Sequence, residues 1–264
     1  MLVKLTKHEL KATSRLLLPL YLILFFIAFI NRFTLNLSSN DVFEGSRGFL
    51  SGFFLFTFII TIIIVIITTF VLMIMRFYQN LLTDEGYLMF TLPVKSHQLI
   101  NAKLITTIFW ILIDIISIIV SLLIVFATPQ RMDILKAGIQ SFITELNEVF
   151  QGNASLIFIQ FILLLLVALI LNILTIYVSI AVGQLFTGHK LVGSFIAYMA
   201  IYTTLQILMV IMALIFGIIN YDNISTTDTL PTIFLPLFIG FALVLDVVFY
   251  TIANTILKKK LNLE

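Results

Sequence analysis

Two acids stand alone inside long apolar runs, Asp114 in "WILIDIISI" and Asp246 in "ALVLDVVFY". A carboxylate in hydrocarbon costs at least a few kcal/mol on insertion scales, so each must turn inward, find a partner or hold a proton. Both lie about ten residues from one end of their runs, roughly 15 Å deep at 1.5 Å per residue, a shared depth at which they could face each other. Asn172 and Gln206, in two other runs, are neutral candidate partners. Three uses fit such groups: polar glue between helices, contact with a cationic substrate, and proton coupling or aspartyl catalysis. Neither acid carries the Gly-flanked surroundings that an aspartyl intramembrane protease would want.

Other chemistry is sparser still. "GQLFTGHKL" has Gly183 and Gly188 at the spacing of a phosphate-binding loop, but His189 stands where the Lys is needed and no hydroxyl follows Lys190, so it reads as a turn. "KHELK" lacks the second His of a zinc-protease helix, and His8, His97 and His189 fall in separate segments without metal-ligand spacing. Without Cys there is no thiol chemistry, and no G-x-S-x-G elbow occurs. The residues therefore point to no enzyme and no resident metal.

The elements that must position these groups follow from composition. With 61% hydrophobic and 11% charged residues over 264 positions, and a mean hydropathy of +1.17, the chain lies outside the range of soluble domains. A net charge of +2 drawn from a few clusters makes nucleic acid a poor partner. Apolar runs of the roughly 20 residues needed to cross a bilayer occur near 16–30, 53–75, 104–127, 156–182, 191–219 and 230–257, so the expected fold is an all-α integral membrane protein with six transmembrane helices. The first run has no small-residue cleavage site after it and reads as a retained span.

Charge sets the expected orientation. Lys4, Lys7, Lys11, Arg15, Arg76, Lys95, Lys103, Lys190, Lys258, Lys259 and Lys260 fall on one side, against Arg32, Arg47, Arg131 and Lys136 on the other. The positive-inside rule then predicts that both termini are cytoplasmic. Asn-x-Ser triplets at Asn36, Asn153 and Asn223 fall in the external connections, but the Ile-, Leu- and Phe-heavy, Cys-free composition is bacterial, so they read as coincidence and the expected location is a bacterial plasma membrane.

Two segments read as amphipathic. "LVKLTKHELKAT" sets Leu2, Leu5, Glu9 and Ala12 at helical spacing beside Lys4, Lys7 and Lys11, which predicts an interfacial elbow helix over 1–15 among membrane lipids. Leu135, Ile139, Phe142, Leu146 and Val149 form a stripe in the external connection 128–155, predicting a helix lying on the membrane or on the bundle. The second cytoplasmic connection is different in kind. In "TDEGYLMFTLPVKSHQL", Leu88, Met89, Phe90 and Leu92 offer an apolar face, Thr83 and Asp84 capping oxygens, Pro93 a stop and Ser96 a cap for the next helix. Such a patch suits a helix-in-groove contact with a soluble partner.

The stretches "KLTKHELKATSRLLLPLYLIL" and "YQNLLTDEGYLMFTLPVKSHQLINAKL", with the six-span plan, resemble the Firmicutes-type membrane subunit of type-2 ABC exporters. The specific motifs of the resemblance occupy mainly the first 110 or so residues; beyond them it extends only to hydropathy. It implies a single permease domain over 1–264, with spans one to three in 16–127, spans four to six in 156–257 and a basic tail over 258–264. It implies no ATPase activity in this chain, two separate cytoplasmic ATP-binding subunits carrying ATP and Mg, and a second permease protomer, identical or related. The loop between spans two and three would hold a coupling helix, with Asp84, Glu85, Gly86, Tyr87, Leu88, Phe90 and Pro93 as the ATPase contacts, and the elbow with Lys4, Lys7, Glu9 and Lys11 beside it. External 221–229 is short compared with relatives that carry large external domains. The nearly uniform apolar spans suit an amphipathic peptide or lipid-like cargo, and Asp114 and Asp246 would favour a cationic one. The competing classes are an ion-gradient-driven secondary transporter, for which no inverted repeat with broken helices is visible, and a non-transporting membrane assembly protein.

Overall fold

Runs of Ile, Leu, Phe and Val uninterrupted by turn residues leave the backbone only its own hydrogen bonds to satisfy it in lipid, and the helix does this within one segment. The computed structural model describes residues 2–37, 44–82, 96–127, 129–149, 154–186, 188–219 and 230–259. These hold seven helices and no strand: α1 (Leu2–Leu37), α2 (Glu44–Leu82), α3 (Ser96–Phe126), α4 (Pro129–Val149), α5 (Ala154–Gly183), α6 (Lys190–Ile219) and α7 (Leu230–Lys259). All but α4 are long and apolar enough to cross a membrane. The chain is an all-α, multi-pass membrane protein. Pro19 and Pro236 lie inside α1 and α7 without ending them.

The helices divide between two compact units, one of 1–76 and 101–137, the other of 77–100 and 138–264. In the first, α1 contributes Leu17, Tyr21, Leu24 and Ala28 to a core completed by Phe58, Val65 and Met73 of α2 and Trp110 and Val125 of α3. These positions recur every three or four residues, which stacks them on one face of each helix. The opposite faces, with Leu22, Phe26, Phe29 and Phe33 on α1, are exposed and apolar, as lipid contact requires.

The second unit is organised around α5, which packs against α6 and α7. Its C-terminal half is buried over much of its circumference, with Leu171, Leu174, Tyr177, Val178 and Ala181 inside, and the Tyr177 ring stacks on Phe77 at 3.8 Å. On α7 the buried stripe is Ile239, Ala242, Asp246, Phe249, Ala253 and Leu257, whose small members let helices approach closely where no hydrophobic effect drives them together.

Both segments expected to be amphipathic fall in described helices. α1 runs unbroken from Leu2 to Leu37, so the segment expected as an elbow is continuous with the apolar run that follows it. Lys4, Lys7 and Lys11 are exposed on it, and Glu9 is buried in the first unit. The amphipathic helix expected over 128–155 is present as α4, with Leu135, Ile139 and Phe142 exposed.

Candidate functional site

In the first unit the inward stripe of α1 carries polar groups at regular intervals, and each meets a partner from α2 or α3. Lys103 donates from Nζ to Glu9 Oε1 at 2.6 Å, and Arg76 approaches Oε2 at 3.5 Å. Both members of the closer pair are buried, with side-chain exposures of 7% for Lys103 and 6% for Glu9. One turn on, Thr13 donates to the Glu9 carbonyl at 2.9 Å and accepts from Trp110 Nε1 at 2.7 Å. The Trp110 ring stacks with Tyr21, whose hydroxyl donates to Asp114 Oδ1 at 2.6 Å. Thr69 donates to the same oxygen at 3.2 Å. Farther along, Asn31 Nδ2 reaches the Phe54 carbonyl of α2 at 3.0 Å, and Arg32 caps the end of α3 through the carbonyls of Ile124 and Ala127. Those carbonyls have no partner within their own helix, and a cation there also suits the helix dipole.

Asp114 is thus held by two hydroxyls inside its own unit, which favours polar glue among its three possible uses. Replacing Tyr21 with Phe removes the shorter of these bonds without changing shape, and is expected to lower stability by about 1–3 kcal/mol, read from thermal unfolding in detergent. Asp246 belongs to the second unit and has a different environment. It is buried in the α7 stripe, and its Oδ1 has no hydrogen-bond partner among the described residues.

Asn172 and Gln206 come together. They line one open cavity of about 500 Å³ between α5 and α6, with Thr175 and Tyr202 as further polar members and Leu171, Leu205 and Met209 among its apolar walls. The level match has a simple origin. α5 and α6 are antiparallel neighbours pinned where Gly183 packs so closely on Ser194 that a Cβ at Gly183 would come within 2.5 Å of its backbone, and Asn172 and Gln206 each lie about 17 Å from that pin at 1.5 Å per residue. Both amides are exposed, and Asn172 Nδ2 makes only a long bond of 3.4 Å to the Ala168 carbonyl. Amides left without good partners in hydrocarbon cost several kcal/mol, so this face must meet protein or water and not acyl chains.

The predicted ATPase contacts Asp84, Glu85, Gly86, Tyr87, Leu88, Phe90 and Pro93 lie outside the described residues. The next helix does begin at Ser96. The "GQLFTGHKL" segment is a short turn, with Leu185 N–H donating to the Val182 carbonyl and Gly193 N–H to that of His189. Its Gly183 serves close packing, since an added Cβ would overlap Ser194. Among the described residues no three His, Asp or Glu side chains cluster as metal ligands would. Sequence reasoning passed over Tyr21 and Thr69 as carboxylate partners, and Thr175 and Tyr202 in the groove. The last two were accessible, because each lies three or four residues from a named amide on the same helix.

Compared with protein-family models, curated proteins and solved structures, the chain matches none.

Proposed function

We propose that the chain is the membrane-spanning, non-catalytic subunit of an ATP-driven ABC exporter in a bacterial plasma membrane. It would work with a second protomer, identical or related, and with two separate cytoplasmic subunits that bind ATP and Mg. The observation that carries this reading is the groove between α5 and α6, where mid-span amides are left uncovered by their own chain. A self-contained bundle would turn Asn172 and Gln206 inward; a protomer of a larger assembly leaves them for the second protomer or for a path between the two. The mixed lining, amides and hydroxyls among Leu, Met and Ala, suits an amphipathic peptide or a lipid-like cargo.

The energy source in this reading is external. The "DEGYLMFTLP" segment docks as a coupling helix in a cleft of each ATP-binding subunit, with Glu85 and Phe90 among its anchors. Both chain termini then face the cytoplasm, on the side richer in Lys and Arg.

The test is co-expression with an ATP-binding subunit encoded in the neighbouring genes, followed by purification in detergent. Wild type is expected to recover an ATP-hydrolysing complex, and a Glu85→Lys, Phe90→Ala variant to lose the partner while eluting as a folded membrane protein. If neither form retains an ATP-binding subunit, the exporter reading is lost and an ion-driven transporter takes its place.

A further inference from the structure

At the end of the first unit that carries the chain's N-terminus, α1 and α2 enclose a pocket of about 360 Å³ lined by His8, Lys11, Ala12, Arg15 and Arg76. The α1 residues fall at successive three- and four-residue steps, so their side chains share one face, and Arg76 reaches in from α2. Three full cations and an imidazole converge there, and among the described residues no carboxylate lines the space. Glu9, the nearby acid, is bonded first to Lys103 at 2.6 Å and lies 3.5 Å from Arg76, so the pocket keeps a surplus of positive charge. Cations that share one pocket repel one another, and an anion that bridges them removes that repulsion.

The surroundings indicate which anion. Continuing along the same face of α1, Leu18 and Leu22 stand three and seven positions beyond Arg15, and both are well exposed, at 54% and 70%. On α2, Met75 beside Arg76 is also exposed. A charged pocket that opens onto an apolar rail matches a molecule with a negative head and long hydrocarbon tails, and a free inorganic anion would make no use of the rail. We propose that this pocket holds the phosphodiester headgroup of an anionic phospholipid, its acyl chains lying along Leu18 and Leu22. Arg15 and Arg76 supply planar donors to the phosphate oxygens and Lys11 a point charge. The positive-inside count puts this end in the cytoplasmic leaflet, where such lipid would anchor the first two helices. The inference does not depend on the exporter reading.

Native mass spectrometry of the full-length protein, reconstituted with mixed phosphatidylcholine and phosphatidylglycerol and then partly delipidated, tests it. Wild type is expected to retain phosphatidylglycerol selectively. A Lys11→Gln, Arg15→Gln variant loses it, with a fall in apparent affinity of about fivefold for each cation removed. A Lys4→Gln, Lys7→Gln variant removes the same charge from exposed positions of the same helix that do not line the pocket, and is expected to retain the lipid. Equal loss in both variants would mean diffuse attraction of a basic helix and overturn the pocket. Retention of no phosphatidylglycerol by wild type, or stabilisation in detergent by inorganic phosphate as large as by the lipid, would overturn the lipid assignment. Should the pocket variant not fold, Arg15→Gln alone carries the same expectation.

Discussion

Replacing Glu9 with Ala is expected to destabilise the protein by about 3–5 kcal/mol. The reason is asymmetric. Lys103 is 7% exposed in its side chain and lies 2.6 Å from the Glu9 carboxylate. Two charges taken out of water together gain little net stability, but removing one leaves the other desolvated and without its counter-charge. Arg76, more exposed and 3.5 Å away, loses less. If that account holds, a Glu9→Leu, Lys103→Met double variant recovers most of the loss, because it removes both desolvation costs and fills the volume. Thermal unfolding in detergent, monitored by the loss of the monodisperse peak, reads both variants. A single variant as stable as wild type would mean that water or another partner compensates Lys103 in place of Glu9.

The second large effect concerns Gly183, where an added Cβ would meet the Ser194 main chain at 2.5 Å. Backbone cannot rotate away as a side chain can, so Gly183→Ala must push α5 and α6 apart at their turn. Overpacking of this kind costs about 1–3 kcal/mol, and the rigid neighbour puts the expected value near 3 kcal/mol. The consequence reaches beyond stability, since the contact sets the register that brings Asn172 and Gln206 to one level. Under the proposed function the variant therefore loses transport, even where a folded fraction survives. Gly217→Ala is the control: a glycine in the partner helix α6, the same substitution, and nothing within 4 Å of the new methyl group. It is expected to be neutral or stabilising by up to about 1 kcal/mol, because Ala loses less backbone entropy in a helix. Equal losses for the two would show that the Ser194 contact does not hold the pair.

Much of the candidate site was visible in the chain because polar residues within apolar runs are few. Asp114, Asp246, Asn172 and Gln206 stood out on that ground alone. Their partners did not stand out. Tyr21 is 93 residues from Asp114 and Thr69 is 45 away, and each is unremarkable in its own run, since Tyr and Thr are common in spanning helices. Helical spacing says which residues share a face and nothing of which helix that face meets. For the same reason the segment over 2–13 read as lying among headgroups. Its stripe of Leu2, Leu5, Glu9 and Ala12 is equally that of a helix packed against others, and the contact of Glu9 with Lys103, 94 residues away, cannot be read from it.

Sequence by itself determined that this is a six-span, all-α membrane protein, because a bilayer imposes length, apolar content and internal hydrogen bonding on each segment separately. It also determined which end of α1 is basic, and that the "GQLFTGHKL" turn lacks the residues of a phosphate-binding loop. Tertiary structure alone decided that Glu9 pairs with Lys103, that Asp114 is held by two hydroxyls, that Arg76 closes a cationic pocket with His8, Lys11 and Arg15, and that Asn172 and Gln206 share a groove. Each of these depends on how one helix is rotated and raised against another. Between helices in lipid those two quantities are set by local fit, such as Gly183 against Ser194, and not by any general hydrophobic force that a sequence pattern records.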